Sequence, residues 1–338
     1  IANERESTAT LGYKAAQNAL EVADLLPMDI DLIVVATSTP EHIFPSTASL
    51  IQDWLGATKA GGFDLSAACS GFVYALKMAS DSLVAGTAQT ALVIGAETMS
   101  RVLDWQDRST CILFGDGAGA VVLQASEQEG GILSSILRSD GAGGDLLCIP
   151  TNNVRELNGH KVQKMYMVGR EVFKFATRVV DESIRQAVDM AGISLSEVDL
   201  VVPHQANQRI LQSAAKKLKI DLDRFMSNVD RYGNTSAASI PIALCEAVEQ
   251  GRVKDNDHIV MVGFGGGLSW ASMVVKWGAP SAEDSANTFN RQRRQLSYIT
   301  ARLRARINRW RRALRRMLMS IRPSAGRMQR LRNRLDRE

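Results

Sequence analysis

Nowhere in its 338 residues does this sequence hold an apolar run of about 18 residues, the length a membrane-spanning helix needs. The opening residues, Ile-Ala-Asn-Glu-Arg-Glu, carry no apolar segment of the kind a secretory leader has. Cysteine is scarce: four residues (Cys69, Cys111, Cys148, Cys245), far apart, with no C-x-x-C pair and no metal-ligand spacing. That excludes a disulfide framework and a cysteine-based metal site, and points to a reduced, cytoplasmic protein. Lysine is missing altogether from residues 279–338, which hold 17 Arg and 4 acidic residues, a net of +13. Residues 1–278 carry −9, so the overall +4 conceals an acidic body and a basic tail.

The body is rich enough in apolar residues, at 45% of the whole chain, to build a large core as two domains or one duplicated one. Apolar spacing predicts a helix from Ser7 to Leu25, a buried strand from Asp31 to Thr37 and a helix from Ser46 to Leu55. A short buried strand follows at Phe63 to Ala67, then a helix, a strand from Ala91 to Gly95, and a strand–turn–strand unit from Ile112 to Leu123. Beyond it come a long helix (Val168 to Met190), a strand (Val198 to Val202) and helices at Asn207 to Leu218 and Ser236 to Val248. A second strand, Gly-rich turn and strand runs from Ile259 to Lys276. Alternating strands and helices with a repeated ending predict a duplicated α/β body with largely parallel sheets, divided at 1–126 and 127–278. Gly115-x-Gly117-x-Gly119 has dinucleotide-loop spacing, but a strand rather than a helix follows it, so a hairpin turn is the better reading.

Everything is arranged around Gly62 to Leu76, where small residues (Ser66, Ala67, Ala68, Ser70, Gly71) crowd a strand-to-helix turn and place Cys69 at the junction. A sulfur there faces the unpaired N–H groups and positive end of a helix, which favour the nucleophilic thiolate. A small buried core cysteine is the plain alternative. Two further polar positions sit where α/β proteins form sites: His204 after a buried strand, in Val-Val-Pro-His-Gln-Ala-Asn, and Asn234 in Tyr-Gly-Asn-Thr-Ser-Ala-Ala-Ser. Asn234 taken alone also suits a turn, and His42, His160 and His258 lie in polar loop contexts.

Asp-Leu-Ser-Ala-Ala-Cys69-Ser-Gly-Phe, Pro-His204-Gln-Ala-Asn-Gln-Arg209-Ile and Gly-Asn234-Thr-Ser-Ala-Ala-Ser together resemble the beta-ketoacyl-acyl-carrier-protein synthase III family, the condensing enzymes that initiate fatty-acid synthesis. Phe114-Gly-Asp-Gly-Ala-Gly and Phe264-Gly-Gly-Gly also fit, and the likeness runs through residues 1–278. It implies a thiolase-like fold of layered α-β-α-β-α architecture with two mixed sheets, a homodimer, and no metal or organic cofactor. It further implies that Cys69 takes an acyl group from acyl-CoA (acetyl-CoA by default), with the N–H groups of Cys69 and Gly266 holding the oxyanion. His204 and Asn234 would then donate hydrogen bonds to the enolate that malonyl-acyl carrier protein forms on losing CO2.

The same likeness assigns Arg108 and Asn207 to CoA, Phe264 to the surroundings of the catalytic cluster, and Phe44 to a partner's acyl pocket. It assigns Gln205, Ala206, Asn207, Gln208, Arg209, Lys216 and Lys217 to carrier-protein docking. Arg170 stands where the family often has an asparagine beside the CoA channel. Family members also begin with a strand and loop upstream of Ile1, so an N-terminally incomplete chain with exposed sheet edges is expected. Thiolases differ by a second cysteine in the last glycine turn, and elongating condensing enzymes by a second histidine where Asn234 stands. A CoA-primed enzyme of polyketide or specialised lipid synthesis is the alternative within the class; an inactive membrane-tethered scaffold is the alternative outside it.

The tail begins with a linker, Pro280 to Thr288, and continues as a basic amphipathic pattern over 291–321. Leu296, Ile299, Leu303, Ile307, Trp310, Leu314, Met317 and Ile321 recur on one face until Pro323-Ser-Ala-Gly326 interrupts, and a second short basic segment follows. An interfacial helix on anionic lipid and a segment read out of frame explain this composition about equally. A nucleic-acid-binding arm fits less well.

Overall fold

The computed structural model describes residues 1–127, 130–150, 155–157, 160–162, 164–278 and 288–321. The expected linker, the break at Pro323 to Gly326, the second basic segment and the setting of the His160 side chain lie outside the described residues.

Two four-stranded sheets form the body. The first has order β2-β1-β3-β4, from β1 (Leu32–Ala36), β2 (Gly61–Leu65), β3 (Thr90–Thr98) and β4 (Asp116–Gln124). The second combines β5 (Gly131–Ser139) with β10 (Leu200–Pro203), β11 (His258–Gly265) and β12 (Ser269–Lys276), in order β10-β11-β12-β5. Between them in sequence lie two small ribbons: β6 (Leu147–Cys148) with β9 (Tyr166–Met167), and β7 (Arg155–Leu157) with β8 (His160–Val162). In the first sheet β1 runs parallel to β2 and β3, while β4 is antiparallel; in the second only the β10–β11 pair is parallel. Both sheets are therefore mixed, which corrects the largely parallel arrangement that helix–strand alternation suggested.

Side-chain alternation along each strand builds five layers. Ile33 and Val35 of β1 face α1 (Thr8–Val22) and α2 (Thr47–Leu55), in one core with Leu20, Ile51 and Ile94. Val34 and Ala36 face inward to α3 (Gly71–Val84) and α7 (Ser239–Glu249), which also receive Leu200, Val202 and Met261 from the second sheet. Val201, Val260 and Val262 point outward to α4 (Gly169–Met190) and α5 (Gln208–Leu218). One short helix, α6 (Val229–Tyr232), precedes Asn234.

Local chemistry sets the ends. Ser7 caps α1 reciprocally with Thr10, at 3.3 and 2.7 Å. Asp64 of β2 accepts the first N–H groups of α2, Thr47 at 2.6 Å and Ala48 at 2.8 Å, which anchors the strand to the positive end of the helix.

Two readings change here. The stretch Gly115 to Gly119 is no turn but the entry and first residues of β4, continuously paired with β3. Glycine is needed there because neighbouring backbone comes very close. A Cβ on Gly115 would fall on the Tyr232 carbonyl oxygen, and one on Gly119 would lie 2.8 Å from Pro241 of α7. The strand before Cys69 is not buried either: β2 is a sheet edge, and Phe63 is 42% exposed.

The tail forms one helix, α8 (Thr288–Ile321), about 50 Å long at 1.5 Å per residue. It docks on the acidic body by one face. Arg294 reaches Asp24 at 2.8 Å with its own side chain buried, Arg291 reaches Glu21 at 3.1 Å, Tyr298 meets Tyr13 edge-on, and Ala301 packs on Gly56. Leu296, Ile299, Leu303, Ile307, Trp310, Leu314 and Met317 lie about opposite on the helical wheel and are exposed.

Candidate active site

Cys69 occupies a turn of 3-10 helix (Ala68–Ser70) between β2 and α3. The turn is tight enough to hold Ala68 at φ +46°, a left-handed conformation that a non-glycine residue adopts at a cost. Ser70 pins it, bonding the Ala67 carbonyl at 2.7 Å and Ser269 of β12 at 2.8 Å. The last residue of β11 closes over the sulfur: a Cβ on Gly265 would stand 2.9–3.0 Å from the Cβ, N and Sγ of Cys69. Gly266, the next residue, packs beside Ala68 and the Leu147 carbonyl.

Burial pushes the Cys69 thiol up to about 12; its hydrogen bond with Ser236 opposes this, and the nearby Glu97 charge adds to it. The resting group is thus a thiol. Desolvation of the buried sulfur thus works against the thiolate expected from the helix terminus. The Cys69 sulfur lies 3.5 Å from the Ser236 hydroxyl.

Asn234 is held by backbone bonds on both sides, its N–H to Leu113 at 2.8 Å and its carbonyl to the Gly115 N–H at 2.9 Å. Its side-chain oxygen accepts the Ser236 N–H at 2.8 Å, so the amide NH2 is the end left to donate outward. His204 follows β10, with its N–H on the Val262 carbonyl at 2.8 Å, and its ring lies edge-on to Phe264, centroids 5.1 Å apart. Desolvation drives its pKa down to about 3, leaving a neutral imidazole. Cys69, Asn234, His204, Phe264 and Gly266 are thereby brought together through Ser236 and the β11 turn.

The structure also adds a residue that the motifs did not single out. Glu97, near the end of β3, is completely buried and accepts hydrogen bonds from Thr39 at 2.6 Å, Thr37 at 3.2 Å and the Ser38 N–H at 3.0 Å. Its one available signal in the sequence was an ionisable side chain ending an otherwise apolar strand. Among the described residues no group of three His, Cys, Asp or Glu can hold a metal ion.

The peripheral positions divide. Arg108, Arg170 and Asn207 are exposed, and Asn207 caps α5 by accepting the Arg209 N–H at 2.9 Å. Gln205 is not on a docking surface. It is buried and spans three backbone groups, those of Pro203, Met226 and Asn228, because a polar side chain at a strand end is needed to satisfy them. Ala206 and Gln208 are half-buried, and Gln208 accepts the Ser227 hydroxyl. Arg209 and Lys216 share an open face of α5, whereas Lys217 turns to α4 and pairs with Asp181 at 2.8 Å. Phe44, in the loop before α2, is 85% exposed.

Residues 63–141 match the family described as 3-oxoacyl-[acyl-carrier-protein (ACP)] synthase III, and residues 188–277 match its C-terminal part. A beta-ketoacyl-[acyl-carrier-protein] synthase III of Desulfitobacterium hafniense is 50% identical over 282 residues, covering 82% of this chain and 85% of the relative. The solved synthase III of Thermus thermophilus superposes with a TM-score of 0.79 at 43% identity, over 83% of this chain and 87% of its own. That of Aquifex aeolicus gives 0.77 at 46%, over 82% and 86%. Fold and likeness together define a thiolase-like condensing acyltransferase. Within that class the chain belongs to the beta-ketoacyl-acyl-carrier-protein synthase III family.

Proposed function

We propose that this chain condenses an acyl-CoA, acetyl-CoA by default, with malonyl-acyl carrier protein to give 3-oxoacyl-acyl carrier protein, CoA and CO2, so initiating fatty-acid synthesis. The observation that carries the reading is the packing of one buried thiol against the end of β11, whose Phe264 also abuts a neutral, buried imidazole. Cys69 Sγ attacks the thioester carbonyl, the N–H groups of Cys69 and Gly266 hold the oxyanion, and CoA departs from an acyl-enzyme. Malonyl carrier protein then loses CO2, and the enolate oxygen is met by His204 and the Asn234 amide. Neutral donors suit that step: they hydrogen-bond the new negative oxygen without offering an acidic proton that would quench the carbanion. The enolate attacks the acyl carbonyl on Cys69, and the 3-oxoacyl product leaves.

Likeness supports Arg108 and Asn207 as CoA contacts, and Arg209 and Lys216 offer the acidic carrier protein a positive face. The unpaired edge of β2 and the exposed Phe63, Ile43 and Phe44 support a homodimer in which Phe44 enters the partner's acyl pocket. Condensation of radiolabelled acetyl-CoA with malonyl carrier protein tests the reading. Product from the wild type and none from Cys69→Ser is expected; no product from a folded wild type with any acyl-CoA primer overturns it.

A second reading concerns α8, whose apolar stripe faces away from the body between flanking arginines. This arrangement favours peripheral contact with an anionic membrane. Co-sedimentation with phosphatidylglycerol vesicles, reduced by Trp310→Asp, supports it. Equal sedimentation with neutral phosphatidylcholine vesicles, or retention on nucleic acid instead, overturns it.

A further inference from the structure

Decarboxylation as proposed needs two donors on one oxygen, yet His204 and Asn234 arrive from different loops, 30 positions apart. His204 follows β10 and Asn234 follows α6. One carboxylate joins the two approaches. Glu246 lies about two turns into α7, the helix that leads away from the Asn234 turn. The mechanism above gives it no part.

On one side Glu246 Oε2 accepts the Asn228 side-chain amide at 2.8 Å. The Asn228 N–H donates to Gln205 Oε1 at 3.0 Å, and the Gln205 amide donates to the Pro203 carbonyl at 2.8 Å. Pro203 and Gln205 flank His204, so this arm ends on the backbone that carries the imidazole. On the other side Glu246 Oε1 accepts the Tyr232 hydroxyl at 2.5 Å and pairs with Arg231 at 3.0 Å. Tyr232 stands two residues before Asn234, and its carbonyl is the one wedged against Gly115.

Three donors converging on two oxygens suit a carboxylate, whereas an amide would turn its NH2 against one of them. Burial raises the Glu246 carboxyl, and the bonds from Tyr232 and Asn228 with the Arg231 charge outweigh it, so its pKa lies below the ordinary value. Asn228 is 3% exposed and the Glu246 side chain 13%, so their bond is made largely out of water, where losing one partner leaves the other unsatisfied. Helix α7 is itself pressed onto Gly119 of β4 at Pro241, which gives the carboxylate a fixed base.

We infer that Glu246 is the positioning residue that fixes the spacing of His204 and Asn234, and so sets the rate of malonyl decarboxylation without touching the substrate. This rests on those two residues being the enolate donors.

The test follows CO2 release from malonyl carrier protein and acylation of Cys69 by acetyl-CoA, in wild type, Glu246→Ala, Tyr232→Phe and the double variant. Glu246→Ala should lower kcat for CO2 release about 10- to 100-fold, the scale of a displacement of up to ~1 Å. KM for malonyl carrier protein and the acylation rate should stay within about twofold of wild type, since neither ground-state binding nor the nucleophile is touched. Tyr232→Phe should cost about threefold alone and nothing further on top of Glu246→Ala, because both cut one link. Equal loss of acylation and CO2 release marks a general loosening and overturns the proposal. Wild-type CO2 release from Glu246→Ala overturns it too, as do losses that simply multiply. Should Glu246→Ala fail to fold, Tyr232→Phe decides alone: slower CO2 release with intact acylation supports the proposal, and unchanged release overturns it. A wild type that releases no CO2 refutes the enolate reading instead. The spacing is then judged by NMR of histidine-labelled protein, with the His204 ring signal identified by its loss in His204→Gln. That signal should move in Tyr232→Phe, and stay put when Tyr232→Phe is added to Glu246→Ala; a signal unmoved by Tyr232→Phe overturns the proposal.

Discussion

The two halves of the body carry similar mixed sheets and put different chemistry at the same place. In the first half, the C-terminal ends of β2 and β3 deliver Cys69 and Glu97, a thiol and a carboxyl. In the second, the C-terminal ends of β10 and β11 deliver His204 and the Phe264–Gly266 turn, a neutral ring and backbone amides. Strand ends of this kind are where α/β sheets gather ligands, and here two sets face one another. On the proposed mechanism duplication divides labour: the first half supplies the nucleophile, and the second supplies the ring, the amide and the glycine N–H that meet negative oxygen.

Breaking each half in turn should expose that division. Cys69→Ser should cut condensation by at least ~10³-fold, as loss of a covalent nucleophile does, while CO2 release from malonyl carrier protein continues. His204→Ala or Asn234→Ala should do the reverse. Decarboxylation, followed as released CO2, should fall about 10²–10³-fold as for a lost oxyanion donor, with acylation of Cys69 close to wild type. Parallel loss of both steps in either set would dissolve the division.

The imidazole sharpens it. With a pKa lowered to about 3, His204 takes up a proton only well below pH 4, so the decarboxylation step should show no limb near pH 6.5. A limb there that vanishes in His204→Gln would mean a charged donor.

Smaller effects test the contacts between and around the halves. Gly115→Ala drives a methyl into the Tyr232 carbonyl and should cost about 2–3 kcal/mol in denaturant unfolding. Gly141→Ala, with open space around it, should cost well under 1 kcal/mol. Least of all, Arg209→Ala with Lys216→Ala should raise KM for malonyl carrier protein a few-fold, more at low salt, leaving KM for acyl-CoA unchanged. Lys217→Ala, already committed to Asp181, should change neither.

Much of this architecture was legible in advance because buried strands write themselves as short apolar runs: those read at Asp31 to Thr37, Ala91 to Gly95 and Val198 to Val202 fall on Leu32–Ala36, Thr90–Thr98 and Leu200–Pro203. Cys69 and His204 drew notice as reactive side chains at the ends of predicted strands, and Asn234 joined them through the motif resemblance. What misled was context supplied from elsewhere in the chain. Gly117 and Gly119 look like a turn until α7 is seen pressing on them. Gln205 looks like surface until three backbone groups need it. Phe63 looks buried until β2 proves to be an edge. Glu97 finds its partners in Thr37, Ser38 and Thr39, which follow β1. In the tail, the contact with the body was not read from the sequence: α8 docks through Arg294, Tyr298 and Ala301, on the face opposite the apolar stripe.

The edge position of β2 has a consequence for how the protein behaves on dilution. Phe63 is exposed on that edge, and Cys69 follows only six residues later. A second copy that covers the edge would therefore steady the turn holding the nucleophile, and occupancy of that contact follows protein concentration by mass action. Activity per molecule should then rise with enzyme concentration to a plateau, and its midpoint would be the dissociation constant of the pair.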